Sequence, residues 1–197
     1  PDGRLQSVHP SQQLQLTIIG SERFGSEDGG ILKGTRGDDG KVLGDFRVRG
    51  YYDTRTTADH VAIIAGNPTG EDVLVRMHSE CITGEAFGSL KCECGPQLDF
   101  ALDQIANDPN GGIVIYLRGQ EGRGIGLGEK IKSYILQDQG LDTVDANIRL
   151  GHAVDARSWI DAIAIVQSLG ISDLILLTNN PEKIEALVGA GITVSAS

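Results

Sequence analysis

A mixed α/β fold with α+β character follows from two features of the sequence. Up to about residue 80, apolar residues fall in short strand-length runs separated by glycine-rich turns. Beyond Cys94, strand-like runs alternate with helical ones, the pattern of a sheet layered against helices. The expected architecture is a β-rich N-terminal part joined to a layered, mixed-sheet α/β core. No linker or repeat separates the two, so they are expected to share one core.

Taken in order, Gln15–Ile19, Asp45–Arg49, His60–Ala65 and Asp72–Met77 read as strands, with turns at Asp39–Gly40 and Gly66–Pro68. Ten of the 27 glycines lie in the first 50 residues, and Gly25–Gly44 reads as long loops. Leu98, Ala101, Leu102, Ile105 and Ala106 are spaced for a helix over Gln97–Asn107. Ile113–Leu117 is an unbroken apolar run, the signature of a buried strand. Leu127–Gln139 reads as a helix with Ile131, Tyr134 and Ile135 on one side and Lys130 and Lys132 elsewhere. Ser158–Leu169 is helical, Leu174–Thr178 a strand, Pro181 to about Val188 a helix, and Ile192–Val194 a last strand.

Of the 197 residues, 40% are hydrophobic, enough for a core and too many for a disordered chain. With 17 Lys+Arg against 27 Asp+Glu, the net charge of −10 argues against nucleic acid or an anionic membrane as a partner. No run reaches the roughly 18 apolar residues of a membrane span, and no basic-then-apolar leader opens the chain, whose start at Pro1 reads as trimmed. Residues 1–50 are neutral, with seven basic and seven acidic residues, so the whole excess lies beyond them. One exception is Arg118–Lys132, with four basic and two acidic residues. It is a candidate anion site or, more plainly, a solvated helix face.

The three cysteines, Cys81, Cys92 and Cys94, fall within fourteen residues. An odd, small count argues against a disulfide scaffold and for a reducing, cytoplasmic compartment. Clustered thiolates suit zinc, with either His78 or a water as fourth ligand; buried inert thiols are the alternative. Arg118-Gly-Gln-Glu-Gly-Arg-Gly-Ile-Gly-Leu-Gly128 follows the apolar strand and precedes a helix. Its glycines let backbone amides approach an anion, and Arg118 and Arg123 can pair with phosphate oxygens. It matches neither the dinucleotide fingerprint nor the P-loop. Glu121 reads as a magnesium ligand, a contact to a base edge or a solvated charge. Asp155-Ala-Arg157 precedes a helix, as a functional pair or a plain salt bridge; Asn180 reads as a ligand contact or a helix cap. His9, His60 and His152 stand isolated, and Trp159 reads as packing.

Together the blocks Arg76–Gly95, Gln120–Leu127, Tyr134–Thr143 and Leu177–Lys183 resemble, in the same order, those of GTP cyclohydrolase II, an enzyme family of riboflavin biosynthesis. The resemblance covers about residues 44–194, implying an N-terminal extension over 1–43 and a catalytic domain over 44–197. It implies that Cys81, Cys92 and Cys94 hold zinc with water in the fourth position, for attack at C8 of GTP. The imidazole ring opens, and formate and pyrophosphate leave a diaminopyrimidinone ribosyl phosphate. Arg76, Met77, His78, Ser79, Glu80, Gln97, Glu121, Gly122, Arg123, Thr143, Thr178 and Lys183 match GTP-contacting positions. Asp155 matches a general base, Arg157 a nucleophile on the α-phosphate, and Tyr134 a residue beside the reacting ring. Because arginine stays protonated, Arg157 as an electrostatic clamp on the phosphoryl transition state is held open as the alternative. Magnesium on the phosphates and a homodimer are further implications. A relative with an altered ring-opening product, or a non-catalytic zinc-stabilised nucleotide-binding module, are the competing readings. The resemblance also implies a tail after the last strand, beyond Ser197.

Overall fold

The computed structural model describes residues 16–19, 30–36 and 42–196. Eight strands form one mixed sheet: β1 (Leu16–Ile19), β2 (Gly30–Arg36), β3 (Val42–Asp53), β4 (Ala58–Gly66), β5 (Val73–Ser79), β6 (Gly111–Leu117), β7 (Asp173–Leu176) and β8 (Thr193–Ala196). The spatial order is β1-β3-β4-β6-β5-β7-β8, with β2 also paired to β3. Strands β1 to β4 are antiparallel, and β4 joins β6 antiparallel. From β6 through β5 and β7 to β8 every pairing is parallel. The β-rich part and the α/β part are therefore two ends of one sheet, as expected.

The helical segments are the short turn α1 (Ile82–Glu85), α2 (Cys94–Asn107), the short turn α3 (Glu121–Gly124), α4 (Leu127–Asp138), α5 (Thr143–Arg149), α6 (Ile160–Ser168) and α7 (Pro181–Gly189). Helix α2 covers one face of the sheet, packing Ala101, Leu102 and Ile105 against Phe46, Ala65 and Val114. Helices α6 and α7 cover the other, where Ala162, Ile165, Val166 and Leu187 meet Val75, Met77, Ile115 and Leu174. Strand β6, with apolar side chains toward both layers, is almost wholly buried, which explains its unbroken apolar run.

The loop reading of Gly25–Gly44 is corrected: β2 and the start of β3 fall inside it. Pairing from Gly30↔Val48 to Arg36↔Val42, with register shifts after Leu32 and Thr35, accommodates glycines that would weaken a central strand. Gln15 and the Asp39–Gly40 turn lie outside the described residues. Helix α5 went unread, although Asp142 caps it by accepting from the Asp145 amide at 2.8 Å. Asn180 caps α7 in the same way, ahead of Pro181.

Helix α4 turns a polar side inward. Lys130 and Ser133 are 9% and 1% exposed, whereas Ile131 and Ile135 are 51% and 61% exposed. The inner face of this helix meets polar groups, described below, rather than the apolar core.

Gly111 sits at the start of β6 with φ +77°, where an added Cβ would lie 2.1 Å from the Ala65 carbonyl oxygen. Gly111→Ala is expected to cost about 3 kcal/mol by strain and overlap. Gly128→Ala, in α4 with open space around the added carbon, is expected to gain up to about 1 kcal/mol. Urea denaturation midpoints of the two variants check both signs.

Candidate active site

The predicted residues gather where the parallel strands end. Cys81 follows β5, the glycine-rich turn follows β6, and Thr178 follows β7, the usual place for a ligand in an open α/β sheet. Pairing of Ser79 with Leu117, continued by the Glu80 amide on the Leu117 carbonyl at 2.9 Å, sets the first two loops side by side.

Cys81 stands at the N-terminus of α1, Cys92 in the irregular loop that follows, and Cys94 at the first position of α2. Their sulfurs lie within 4.8 Å of one another, and all three thiols are free. An added Cβ on Gly84 would come 2.8 Å from the Cys92 sulfur, and one on Gly95 would come 2.7 Å from the Gly84 carbonyl oxygen. The glycines thus let two backbone segments close around the sulfurs. Burial and the neighbouring sulfurs push the Cys94 thiol strongly upward. Cys81 goes the other way: burial is outweighed by hydrogen bonds from Lys130 and Thr83. Three sulfurs so close repel as thiolates unless a cation sits among them, so the donor set fits a thiophilic dication.

His78 is not brought to the sulfurs. Its Nε2 meets Glu85 Oε1 at 2.9 Å, and its ring stacks on Tyr116. Glu85 also accepts from the Cys81 amide at 2.8 Å and from the Tyr116 hydroxyl at 2.5 Å. Of the two fourth-ligand readings, the histidine is not borne out, and Glu85, which sequence reasoning missed, is what fixes the Cys81 backbone. Burial and the nearby cations Arg76 and Lys183 hold the His78 pKa down, despite Glu85.

The glycine-rich turn folds back on the Asp155–Arg157 segment. Gly122 and Arg123 both take left-handed conformations, with φ of 61° and 64°, a geometry uncommon for arginine. The Arg123 carbonyl accepts from the Ala156 amide at 2.9 Å, joining the two loops. Arg157 donates from Nε to Asp155 Oδ1 at 2.9 Å and from Nη2 to Oδ2 at 2.5 Å, a bidentate pair. Its Nη1 reaches Ser79 Oγ at 3.2 Å, and Ser79 in turn donates to Gln120 at 2.7 Å. Burial raises the Asp155 carboxyl, but hydrogen bonds from Arg157 more than offset this and leave it ionised.

Trp159 is more than packing. Its ring lies 4.8 Å from the Arg157 guanidinium carbon and 4.9 Å from Lys183 Nζ, so two cations share one aromatic surface. Lys183 is buried and donates to the Met77 carbonyl at 2.7 Å. Burial, with Arg76 and Arg157 close by, lowers its pKa to about 7. The Met77 side chain points into the core, so its carbonyl is what it offers here. Arg76 donates to the Leu177 carbonyl at 2.8 Å and to Gln97 at 2.9 Å.

A cavity of about 270 Å³ is lined by Ser79, Glu80, the three cysteines, Gly122, Arg123, Tyr134, Thr143 and Arg157. Arg76, Gln97 and Thr178 line a separate groove of about 850 Å³. The Tyr134 hydroxyl is 2.8 Å from Thr83 Oγ1, beside the sulfurs. Glu80 accepts from the Gly119 amide at 2.9 Å. Glu121 is buried; its oxygens take the Lys130 ammonium at 2.6 Å and the Ile82 amide at 2.8 Å. Lys130 also donates to the Cys81 sulfur at 2.8 Å. His60, read as isolated, accepts from the Arg118 amide at 3.2 Å, with Nε2 3.6 Å from Asp161. It steadies the entry to the glycine-rich turn.

Residues 39–197 match the family model of GTP cyclohydrolase II. The chain belongs to the GTP cyclohydrolase II family. It is 53% identical over 154 residues to the GTP cyclohydrolase-2 of Streptomyces coelicolor, covering 78% of this chain and 69% of that protein. It is 52% identical over 153 residues to the riboflavin biosynthesis protein RibBA of Salinispora tropica, covering 77% of this chain and 38% of the relative. The RibBA of Mycobacterium tuberculosis is 49% identical over 156 residues, with 77% and 36% covered. The chain therefore spans little more than a third of the RibBA relatives and about two thirds of the shorter one. No helix among the described residues is long and apolar enough to cross a membrane.

The charge state of Lys183 changes near neutral pH. Its ammonium is present below pH about 7 and lost above it, so affinity for a polyphosphate bound near Arg157 and Trp159 is expected to fall as pH rises. The fall reaches up to about tenfold per pH unit above that point. Calorimetric titration with inorganic tripolyphosphate between pH 6 and about 8.5 tests this, with Lys183→Met expected to flatten the dependence.

Proposed function

We propose that this chain is a zinc-dependent GTP cyclohydrolase II that opens the imidazole ring of GTP and releases formate and pyrophosphate. One observation carries the reading: the three cysteines line the same cavity as Arg157, which Asp155 holds. That arrangement supports two hydrolytic chemistries on one substrate, at the base and at the α-phosphate.

Cys81, Cys92 and Cys94 would hold the zinc, which supplies a water acidified for attack on C8. The protein's own groups bind and orient the substrate. Arg157, Arg123 and Lys183 meet the negative charge of the phosphates, and Arg76, Gln97 and Thr178 extend this toward the neighbouring groove. Magnesium on the phosphate oxygens is part of the proposal. The bidentate pair with Asp155 supports Arg157 as a charged clamp on the phosphoryl transition state, since a nucleophilic guanidine must first lose a proton. Tyr134, held by Thr83, orients the reacting ring.

Ile131 and Ile135, exposed one turn apart on α4, support a homodimer, and three free thiols support a reducing, cytoplasmic setting.

Incubation with GTP, zinc and magnesium, with products resolved by mass, tests the reading. Formate and pyrophosphate are expected in equal amounts with the diaminopyrimidinone product; consumption of GTP without formate overturns it. Cys92→Ser is expected to abolish formate release. Arg157→Ala is expected to lower pyrophosphate release by about 10²–10³-fold while leaving zinc content at one per chain.

A further inference from the structure

Lysine on a surface helix ordinarily runs its stem along the protein and leaves its ammonium in water. Lys130 does the opposite. It occupies the first turn of α4, is buried, and directs Nζ to Cys81 Sγ at 2.8 Å and Glu121 Oε1 at 2.6 Å. The other Glu121 oxygen takes the Ile82 amide at 2.8 Å. The pair therefore grips two adjacent residues, one by its sulfur and one by its backbone. A buried ion pair alone is a poor source of stability, and Glu121 by itself would not require the lysine to touch sulfur.

The chemistry of the donor set gives the contact a purpose. Three thiolates around a dication carry one surplus negative charge. A hydrogen bond to sulfur draws electron density from that ligand and fixes its direction, as outer partners of metal ligands generally do. Among the described residues Lys130 makes this contact to Cys81, the most buried of the three cysteines. Glu121 opens the glycine-rich turn that lines the cavity, so the same pair ties the metal ligand to that turn.

We propose that Lys130 is a positioning residue of the metal centre, its ammonium hydrogen-bonded to the Cys81 sulfur while Glu121 holds the Ile82 amide. The inference rests on the zinc reading above.

The test uses holoprotein loaded with zinc and, separately, with cobalt(II), comparing wild type, Lys130→Met, Lys130→Ala, Lys130→Arg and Glu121→Gln. Lys130→Met is expected to release zinc to a chromophoric chelator about 10–100-fold faster. Its sulfur-to-cobalt charge-transfer band is expected to move to lower energy, because the sulfur loses a donor. Lys130→Arg is expected to restore the band position in part, and Glu121→Gln to leave it unmoved, since the lysine–sulfur contact persists. General loosening of the fold would speed release without shifting the band. A Lys130→Met band identical to wild type overturns the proposal, and if that variant does not fold, an unshifted Lys130→Ala band with wild-type zinc release does so. Wild-type protein that holds neither metal overturns the zinc reading, and this inference with it.

Discussion

The register of β5 on β6 is the constraint on which the site depends. Ser79 faces Leu117, and both chains leave the sheet at the same level. The Cys81 turn and the glycine-rich turn are consequently neighbours. A slip along the strands would part the sulfurs from Glu121 and Lys130, and Ser79 from Gln120. Parallel strands need long crossovers, and the crossover from β5 to β6 carries Cys81, Cys92 and Cys94 within it. The same connection that makes the pairing possible therefore delivers the metal donors.

Around this anchor the protein concentrates charge that would be unstable if any member stood alone. Arg157 is balanced by Asp155 and shares the Trp159 ring with Lys183. Lys130 is balanced by Glu121. The Cys94 thiol is pushed upward by burial and by its sulfur neighbours. Each arrangement suits a charge of known sign: an anion beside Arg157, a dication among the sulfurs. The chain is acidic overall, yet Lys91, Arg123, Lys130 and Arg157 all line the cavity.

Much of this was legible in sequence because it is local. Clustered cysteines, glycines next to arginines, and Asp155 two residues from Arg157 all announce chemistry within a short window. The strands and helices of the α/β part were legible for the same reason, their apolar periods being complete within each element. Helix α4 shows where that reasoning stops. Periodicity orients the apolar side inward, but the interior opposite α4 consists of Cys81 and Glu121, so Lys130 turned in and Ile131 and Ile135 turned out. Glu85 and His60 were missed likewise. Their partners, His78, Tyr116 and the Arg118 amide, lie in other elements, and single charged residues give no pattern to read.

The sequence by itself determined which atoms are available: three sulfurs, a glycine-rich turn with two arginines, and a carboxylate–guanidinium pair, on an alternating strand–helix frame. Its blocks were specific enough to place it in the GTP cyclohydrolase II family. Only the tertiary structure decided which of those atoms meet. It drew Lys130 onto a sulfur 49 positions away and Arg157 onto a serine 78 positions away, and it turned His78 away from the sulfurs toward Glu85. The physical reason is that side-chain identity is encoded residue by residue, whereas contact depends on strand register and on what each helix face finds opposite it.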